Sequence, residues 1–211
     1  MIAVHFPVGP LGCNCTIAGD EESGEAIVVD GGDDVERTAS VLAEHRLRPK
    51  YLVHTHAHFD HIAALRPLRE RVGGEGLLHP ADRPLYALLA EQGRWVGLPL
   101  DVEPTTLDGD LEDGLVLRAG RAALRCLHTP GHTPGSTSFA LEDGGETRLL
   151  TGDTLFRGSI GRWDLGGTSM EDIVASIREK LLPYPDPTPV VPGHGPATTI
   201  GLERASNPYL Q

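Results

Sequence analysis

The chain has 211 residues, enough to bury a full hydrophobic core as one unit. Its 30 acidic residues outnumber 18 basic ones, for a net charge of −12. This excludes a nucleic-acid surface, because phosphate binding needs clustered Lys and Arg. The basic residues are scattered arginines apart from Lys50 and Lys180. Residues 1–10 lack a basic segment, and their apolar run is broken by His5 and Pro7, so no secretory leader is expected. No stretch approaches the ~20 apolar residues of a membrane span. A cytoplasmic protein without nucleic-acid or membrane partners is the expectation, as a monomer or small homo-oligomer.

In chain order, residues 3–7, 13–18 and 26–29 read as short strands separated by Gly/Asp turns. Asp33-Asp34 is placed to cap a helix running to about Leu47, with Val35, Ala39 and Leu42 at helical spacing. Pro49 is expected to end it, and residues 51–54 form the next strand. Residues 61–72 read as a helix that Pro67 can kink. Residues 77–79 read as a strand and 83–92 as a helix, within a helical insertion over 80–100. Strands are then expected over 105–107, 115–118, 122–128, 137–141 and 148–151. A helix over 170–182, a strand over 189–191 and a short helix over 198–207 follow. The Pro-rich run 183–189 reads as a surface connection. Two halves of strands followed by helices predict an α/β fold, a four-layer αββα sandwich with functional loops along one edge.

Thr55-His-Ala-His-Phe-Asp-His61 concentrates three histidines and an aspartate in one short segment. His132 in Thr129-Pro-Gly-His-Thr-Pro-Gly-Ser136, Asp153 in Thr151-Gly-Asp-Thr154 and His194 in Val191-Pro-Gly-His-Gly-Pro196 lie farther along, each beside turn-forming residues. Side chains at i and i+2 of an extended segment point the same way, so His56 and His58 can bind one metal together. Asp60 and His61, where the chain turns into a helix, can reach a second ion. Imidazole with carboxylate suits two divalent ions, zinc foremost, with iron or manganese as alternatives. Two metals roughly 3.5–4 Å apart can generate a hydroxide nucleophile at neutral pH and stabilise a developing oxyanion. His5, His45 and His79 lie in ordinary strand and helix patterns. His54 ends a strand facing away from Thr55, and His128 is placed to donate to a ligand or a carbonyl. Cys13, Cys15 and Cys126 match neither a disulfide framework nor a Cys-x-x-Cys zinc site, and read as buried free thiols.

The Thr-His-x-His-x-Asp-His segment, with His132, Asp153 and His194 in order, resembles the signature of the metallo-β-lactamase fold. Around it, Gly9–Asn14, Thr151–Arg162, Pro192–Gly201 and Glu203–Leu210 make the chain similar to short, single-domain glyoxalase II-like hydrolases over nearly its whole length. The resemblance implies that His56, His58 and His132 hold a first metal, Asp60, His61 and His194 a second, and that Asp153 bridges both. Asp60 and Asp153 are the carboxylates it ties to catalysis. It further implies hydrolysis of a small-molecule thioester, S-D-lactoylglutathione, through a metal-bridging hydroxide. Asp30 in Val28-Val-Asp-Gly-Gly32 matches an aspartate that orients the metal loop, and equally reads as a turn residue. The segment 156–162 is expected at the rim, where Arg157 or Arg162 can meet an anionic substrate or serve only the surface. Trp163 stands where related proteins often carry a small hydroxyl residue, and is expected to reshape the thiol side.

Longer glyoxalase II enzymes carry a C-terminal helical domain that holds glutathione, and residues 1–211 are expected to form one domain without it. Glutathione contacts are then expected from rim loops, or the thiol is a different one. Persulfide dioxygenases share the ligand residues and the Gly-Arg-x-Asp segment; that alternative uses a single iron held by His56, His58 and Asp153. Another thioester or a lactone is a further substrate alternative, and a non-catalytic metal-binding module is the alternative from a different class.

Overall fold

A computed structural model describes residues 1–95, 97, 102–164 and 167–211. Alternation along the strands organises these residues. In β3 (Glu25–Val29), Ala26 and Val28 face one apolar cluster while Ile27 and Val29 face another. In β9 (Thr137–Asp143), Phe139 and Leu141 face the same cluster as Ile27, and Ala140 faces the opposite way. Strands buried on both faces need cover on both sides, and successive side chains divide between them.

The first sheet has the order β1 (Ile2–Val8), β2 (Cys13–Asp20), β3, β4 (Arg48–Val53), β5 (Glu75–Leu78), β6 (Gly109–Asp110). Its first three strands are antiparallel and β3 to β6 run parallel. The second has the order β14 (Thr198–Thr199), β13 (Pro189–Pro192), β10 (Glu146–Gly152), β9, β8 (Ala122–His128), β7 (Val116–Ala119). A separate hairpin pairs β11 (Leu155–Phe156) with β12 (Ser159–Ile160).

Three apolar layers separate four layers of structure. Between the sheets, Ile27, Val29 and Val53 meet Leu124, Phe139, Leu150 and Val191. Outside the first sheet, Val28, Leu52 and Leu78 pack against Leu42 of α1 (Val35–Glu44), Ile62 of α2 (Phe59–Ile62) and Leu65 and Leu68 of α3 (Leu65–Val72). Outside the second, Leu149 and Val190 pack against Ile173 of α6 (Met170–Ser176) and Ile200 of α7 (Ile200–Ser206). This is the expected αββα arrangement.

Several boundaries differ from the sequence expectations. The α1 helix ends at Glu44, and Arg46 turns the chain with φ +56°. Pro49 lies inside β4 opposite Ala26, at a register shift. The helix expected over 61–72 is divided into α2, which ends at Ile62, and α3, whose first turn holds Pro67, where its missing N–H removes no intrahelical bond. Residues 83–92 divide into α4 (Arg83–Ala87) and α5 (Leu89–Trp95). The expected strand at 105–107 is absent: Thr105 N–H donates to the Tyr86 hydroxyl and Thr106 C=O accepts from Arg69, so side chains take the backbone bonds a ladder needs. Helix α6 widens into a π-type turn over Ile177–Leu181. Residues 96 and 98–100 of the 80–100 insertion lie outside the described residues.

Strands β8 and β10 run the same way, and β13 is parallel to β10, so their carboxyl ends share one edge. The Thr137 N–H donates to Thr55 C=O across the sheets at 2.8 Å, bringing the segment after β4 to that edge. The four segments singled out in the sequence meet there.

Candidate metal centre

His56, His58 and His132 present ring nitrogens within 4.8 Å of one another, and a carboxylate oxygen of Asp60 lies equally close to ring nitrogens of His61 and His194. His132 Nε2 lies 2.9 Å from His58 Nδ1, and His61 Nε2 lies 3.2 Å from His194 Nε2. Asp153 stands between the groups, with Oδ1 3.5 Å from His61 Nε2 and Oδ2 3.7 Å from His132 Nε2. Backbone partners select which nitrogen faces inward. His132 Nδ1 meets Arg162 C=O at 2.8 Å and His194 Nδ1 meets Leu11 C=O at 3.1 Å. A carbonyl can only accept, so each Nδ1 carries a proton and each Nε2 is the nitrogen turned toward the site.

The donor set fits divalent metals. His56 Nε2 and Asp153 Oδ1 are buried among the ligand candidates without a hydrogen-bond partner, a costly arrangement that a cation satisfies. Burial holds the His56 ring well below its ordinary pKa, helped by the neighbouring rings of His61, His132 and His58. Burial likewise pushes His58 down to about 3. Against desolvation, the hydrogen bond from His194, at 3.0 Å from Oδ2, and the nearby His61 hold Asp60 at about 2. Neutral imidazoles and ionised carboxylates are the forms that coordinate; His56, His58 and Asp60 are held in them, whereas, against the effect of burial, nearby acidic groups raise His61 and His194, which give up a proton when metal binds.

Around these groups lies a set of buried positioning residues. Asp30 accepts the Thr55 N–H and Thr55 hydroxyl, both at 2.7 Å, and its Oδ2 is 3.0 Å from His61 Nδ1. Asp30 thus orients the metal loop, and with φ +53° it also turns the chain, so both of its readings hold. Cys13 Sγ lies 3.4 Å from the same His61 nitrogen. Gly152 has φ +48°, and a Cβ there would fall 2.6 Å from Thr55 Cβ. Gly193 has no such freedom to lose, but a Cβ on it would collide with Asp153 Oδ1. Glycine at both positions lets β10, β13 and the Thr55 segment converge.

Asp82 and Gln92 were not legible as site residues. Asp82 is buried and accepts from Ala57 N–H at 2.9 Å, Thr133 hydroxyl at 2.8 Å and Gly135 N–H at 2.6 Å. Gln92 accepts from Phe59 N–H at 3.0 Å and donates to Ala57 C=O at 2.9 Å. Together they tie the His56–His61 segment to the His132 turn and to α5. No local pattern marks either one, since an Asp before Arg-Pro reads as an ordinary helix start.

The rim residues separate. Arg157 is exposed. Arg162 contributes its backbone carbonyl to His132, while its exposed guanidinium pairs with Asp164 at 2.9 Å. Trp163 packs against the α6–α7 cluster and meets Tyr209 edge-on at 6.1 Å. The segment 156–162 is largely the β11–β12 hairpin, which Gly158 N–H anchors to buried Glu203 at 2.8 Å. Among the other histidines, His45 lies beside Glu21, His79 stacks on His128 at 4.0 Å, and His128 Nε2 meets Pro134 C=O at 2.9 Å. His54 is buried with Nδ1 against His61 C=O at 2.8 Å. All three cysteines are free and buried.

This fold and this His/Asp centre are those of the metal-dependent hydrolases, and the chain belongs to the metallo-beta-lactamase superfamily, which it matches over residues 8–194. Hydroxyacylglutathione hydrolase GloC of Haemophilus influenzae is 37% identical over 212 residues, spanning 97% of this chain and 96% of that protein. The mitochondrial persulfide dioxygenase ETHE1 of Bos taurus is 32% identical over 207 residues, spanning 95% of this chain and 73% of its own length. The crystal structure of BLEG-1 B3 metallo-beta-lactamase superposes with a TM-score of 0.87 at 35% identity, covering 99% of each chain. A structure of a similar protein in a di-iron-bound form gives 0.86 at 38% identity, covering 100% of each. Among the described residues no helix is long and apolar enough to cross a membrane.

Proposed function

We propose that the protein is a binuclear metallohydrolase that cleaves a small-molecule thioester, with S-D-lactoylglutathione the leading substrate. The observation that carries this reading is the pair of ligand groups with Asp153 between them. His56, His58 and His132 would hold one divalent ion and Asp60, His61 and His194 the other, with Asp153 the carboxylate available to both. Zinc is the expected metal; the di-iron-bound relative makes iron the first alternative and manganese is the second. When bound, two such ions supply Lewis acidity that lowers the pKa of water and polarises a carbonyl.

The chain's own groups do the rest. Water attacks the thioester carbon on the Asp153 side, next to Asp60; the C–S bond breaks, one water proton ends on the departing sulfur and the other passes to solvent, and thiol and carboxylate are released. The carbonyl lies toward His58 and His132, and the sulfur departs toward His61 and His194. Asp30 and Asp82 keep the ligands in register and take no part in proton transfer. The reading takes the thioester as the partner, the cytoplasm as the compartment, and a monomer or small homo-oligomer as the assembly. Arg157, Arg162 and Trp163 remain candidates for the thiol-side rim.

The similarity to GloC supports the thioester. The similarity to the bovine persulfide dioxygenase supports a second reading, a single iron and oxygen chemistry. Metal content per chain, measured beside turnover of S-D-lactoylglutathione, glutathione persulfide and a β-lactam, separates them. Two metals and thioester cleavage are expected. One iron per chain with oxygen uptake on the persulfide would overturn the hydrolase reading.

A further inference from the structure

A cavity of about 480 Å³ adjoins the centre, with His58 and His132 at its inner end. Apart from Thr133, its remaining lining is apolar: Leu85, Leu88 and Trp95 from α4 and α5 and the turn between them, and Pro134 from the His132 turn, with Ala81 and Pro84 completing it. Neither Lys nor Arg lines it among the described residues. The volume is that of a small-molecule site.

Leu88 and Trp95 stand out on this surface. They are 43% and 64% exposed, among the few large hydrophobics left in water. Isolated exposed apolar residues need no explanation, but here two meet in a cavity shared with two metal-ligand candidates. The wall is also built in register with the centre. Gln92 holds α5 to both Ala57 C=O and Phe59 N–H, and Asp82 holds the start of the same segment to Ala57 N–H and Gly135 N–H. Hydrogen bonds buried on this scale fix the apolar wall relative to His58 and His132, which is more than a surface helix requires.

We infer that this cavity receives the acyl side of the thioester and prefers an aliphatic chain longer than lactoyl, with Leu88 and Trp95 setting that preference. The inference rests on the hydrolase reading, in which the carbonyl lies toward His58 and His132. A hydroxylated two-carbon tail leaves the cavity largely wet, whereas a longer chain covers the indole and leucine. Each methylene buried is worth about 0.8 kcal/mol, close to fourfold. The partly open wall lowers this to about two- to fourfold. From acetyl to hexanoyl, four methylenes longer, kcat/KM should rise about 16- to 250-fold.

The test uses the metal-loaded protein and N-acetylcysteamine thioesters of acetyl, butanoyl, hexanoyl and octanoyl groups. A parallel series lengthens the thiol on a fixed acetyl group. Binding is read independently of turnover with ketone analogues carrying a CH2 between carbonyl and sulfur, which cannot be hydrolysed. Tryptophan emission should shift to the blue as the octanoyl analogue is added, and the shift should vanish in Trp95→Ala. The hexanoyl-to-acetyl ratio should fall below about fivefold in Trp95→Ala and in Leu88→Asn. Both side chains are substantially exposed, so neither substitution threatens the fold. Thioester cleavage indifferent to acyl length, without an emission shift, overturns this inference and leaves the hydrolase reading intact. A gain from lengthening the thiol instead of the acyl group overturns it too. If no thioester is cleaved but analogue affinity still climbs with chain length and depends on Trp95, the cavity's preference stands and the reaction is reassigned.

Discussion

Replacing Asp82 tests whether the ligand loops are held by a residue that touches no metal candidate. Its carboxylate accepts three buried hydrogen bonds, from Ala57 N–H, Gly135 N–H and the Thr133 hydroxyl. In Asp82→Ala the hydroxyl retains Ser136 Oγ at 2.8 Å. The two backbone N–H groups lose their acceptor, at about 1–3 kcal/mol each, so about 2–6 kcal/mol in total. That approaches the whole stability of an ordinary domain, about 5–15 kcal/mol. Asp82→Asn is the sharper probe. Its remaining oxygen can serve one side of the network while its amide faces a donor on the other, for a loss of about 1–3 kcal/mol. Loosening two ligand-bearing loops should also weaken zinc binding by about 10- to 100-fold, the scale seen when groups behind metal ligands are changed. Urea unfolding in chelator measures the first effect, and competition with a chromophoric chelator measures the second. Stability within about 0.5 kcal/mol of wild type, together with unchanged zinc affinity, would refute the reasoning.

His132→Ala should lower the metal content, whereas His45→Ala, a side chain just past α1 that lies beside Glu21, should leave it unchanged; metal analysis of the two purified variants checks both. Asp153→Asn should reduce turnover by more than its loss of one charge suggests, because a neutral amide bridges two cations poorly; two fully occupied metals with normal turnover would place the bridge elsewhere. Asp20 accepts hydrogen bonds from the Arg121 guanidinium, which hold its pKa at about 2. A depressed folded value stabilises above the unfolded pKa of about 3.9, and that contribution disappears as pH falls through about 2. Urea midpoints across this range should fall in wild type and fall less in Asp20→Asn. Burial pushes the thiols of Cys13 and Cys126 up to about 11 and about 12, so a disulfide reagent should label the native protein slowly and all three cysteines after unfolding.

The seven ligand candidates were legible in the chain because metal binding demands particular atoms, and few residue types supply them. Alternation in β3 and β9 likewise announced strands buried on both faces, since a period of two is local backbone geometry. Where the chain would turn was less legible. Pro49 reads as a helix stop but sits in β4 at a register shift, and residues 105–107 have strand composition but spend their backbone bonds on Arg69 and Tyr86. Those outcomes depend on partners distant along the chain. The same is true of Asp82 and Gln92, ordinary residues of a helical insertion until packing brings them under the metal loop, and of Arg162, whose backbone rather than its charge reaches His132. By itself the sequence determined the donor atoms, their order and the period of the strands. The tertiary structure alone decided which ring nitrogen faces inward, which side chains hold the ligands still and where an apolar cavity opens, because each depends on contacts between residues far apart in sequence.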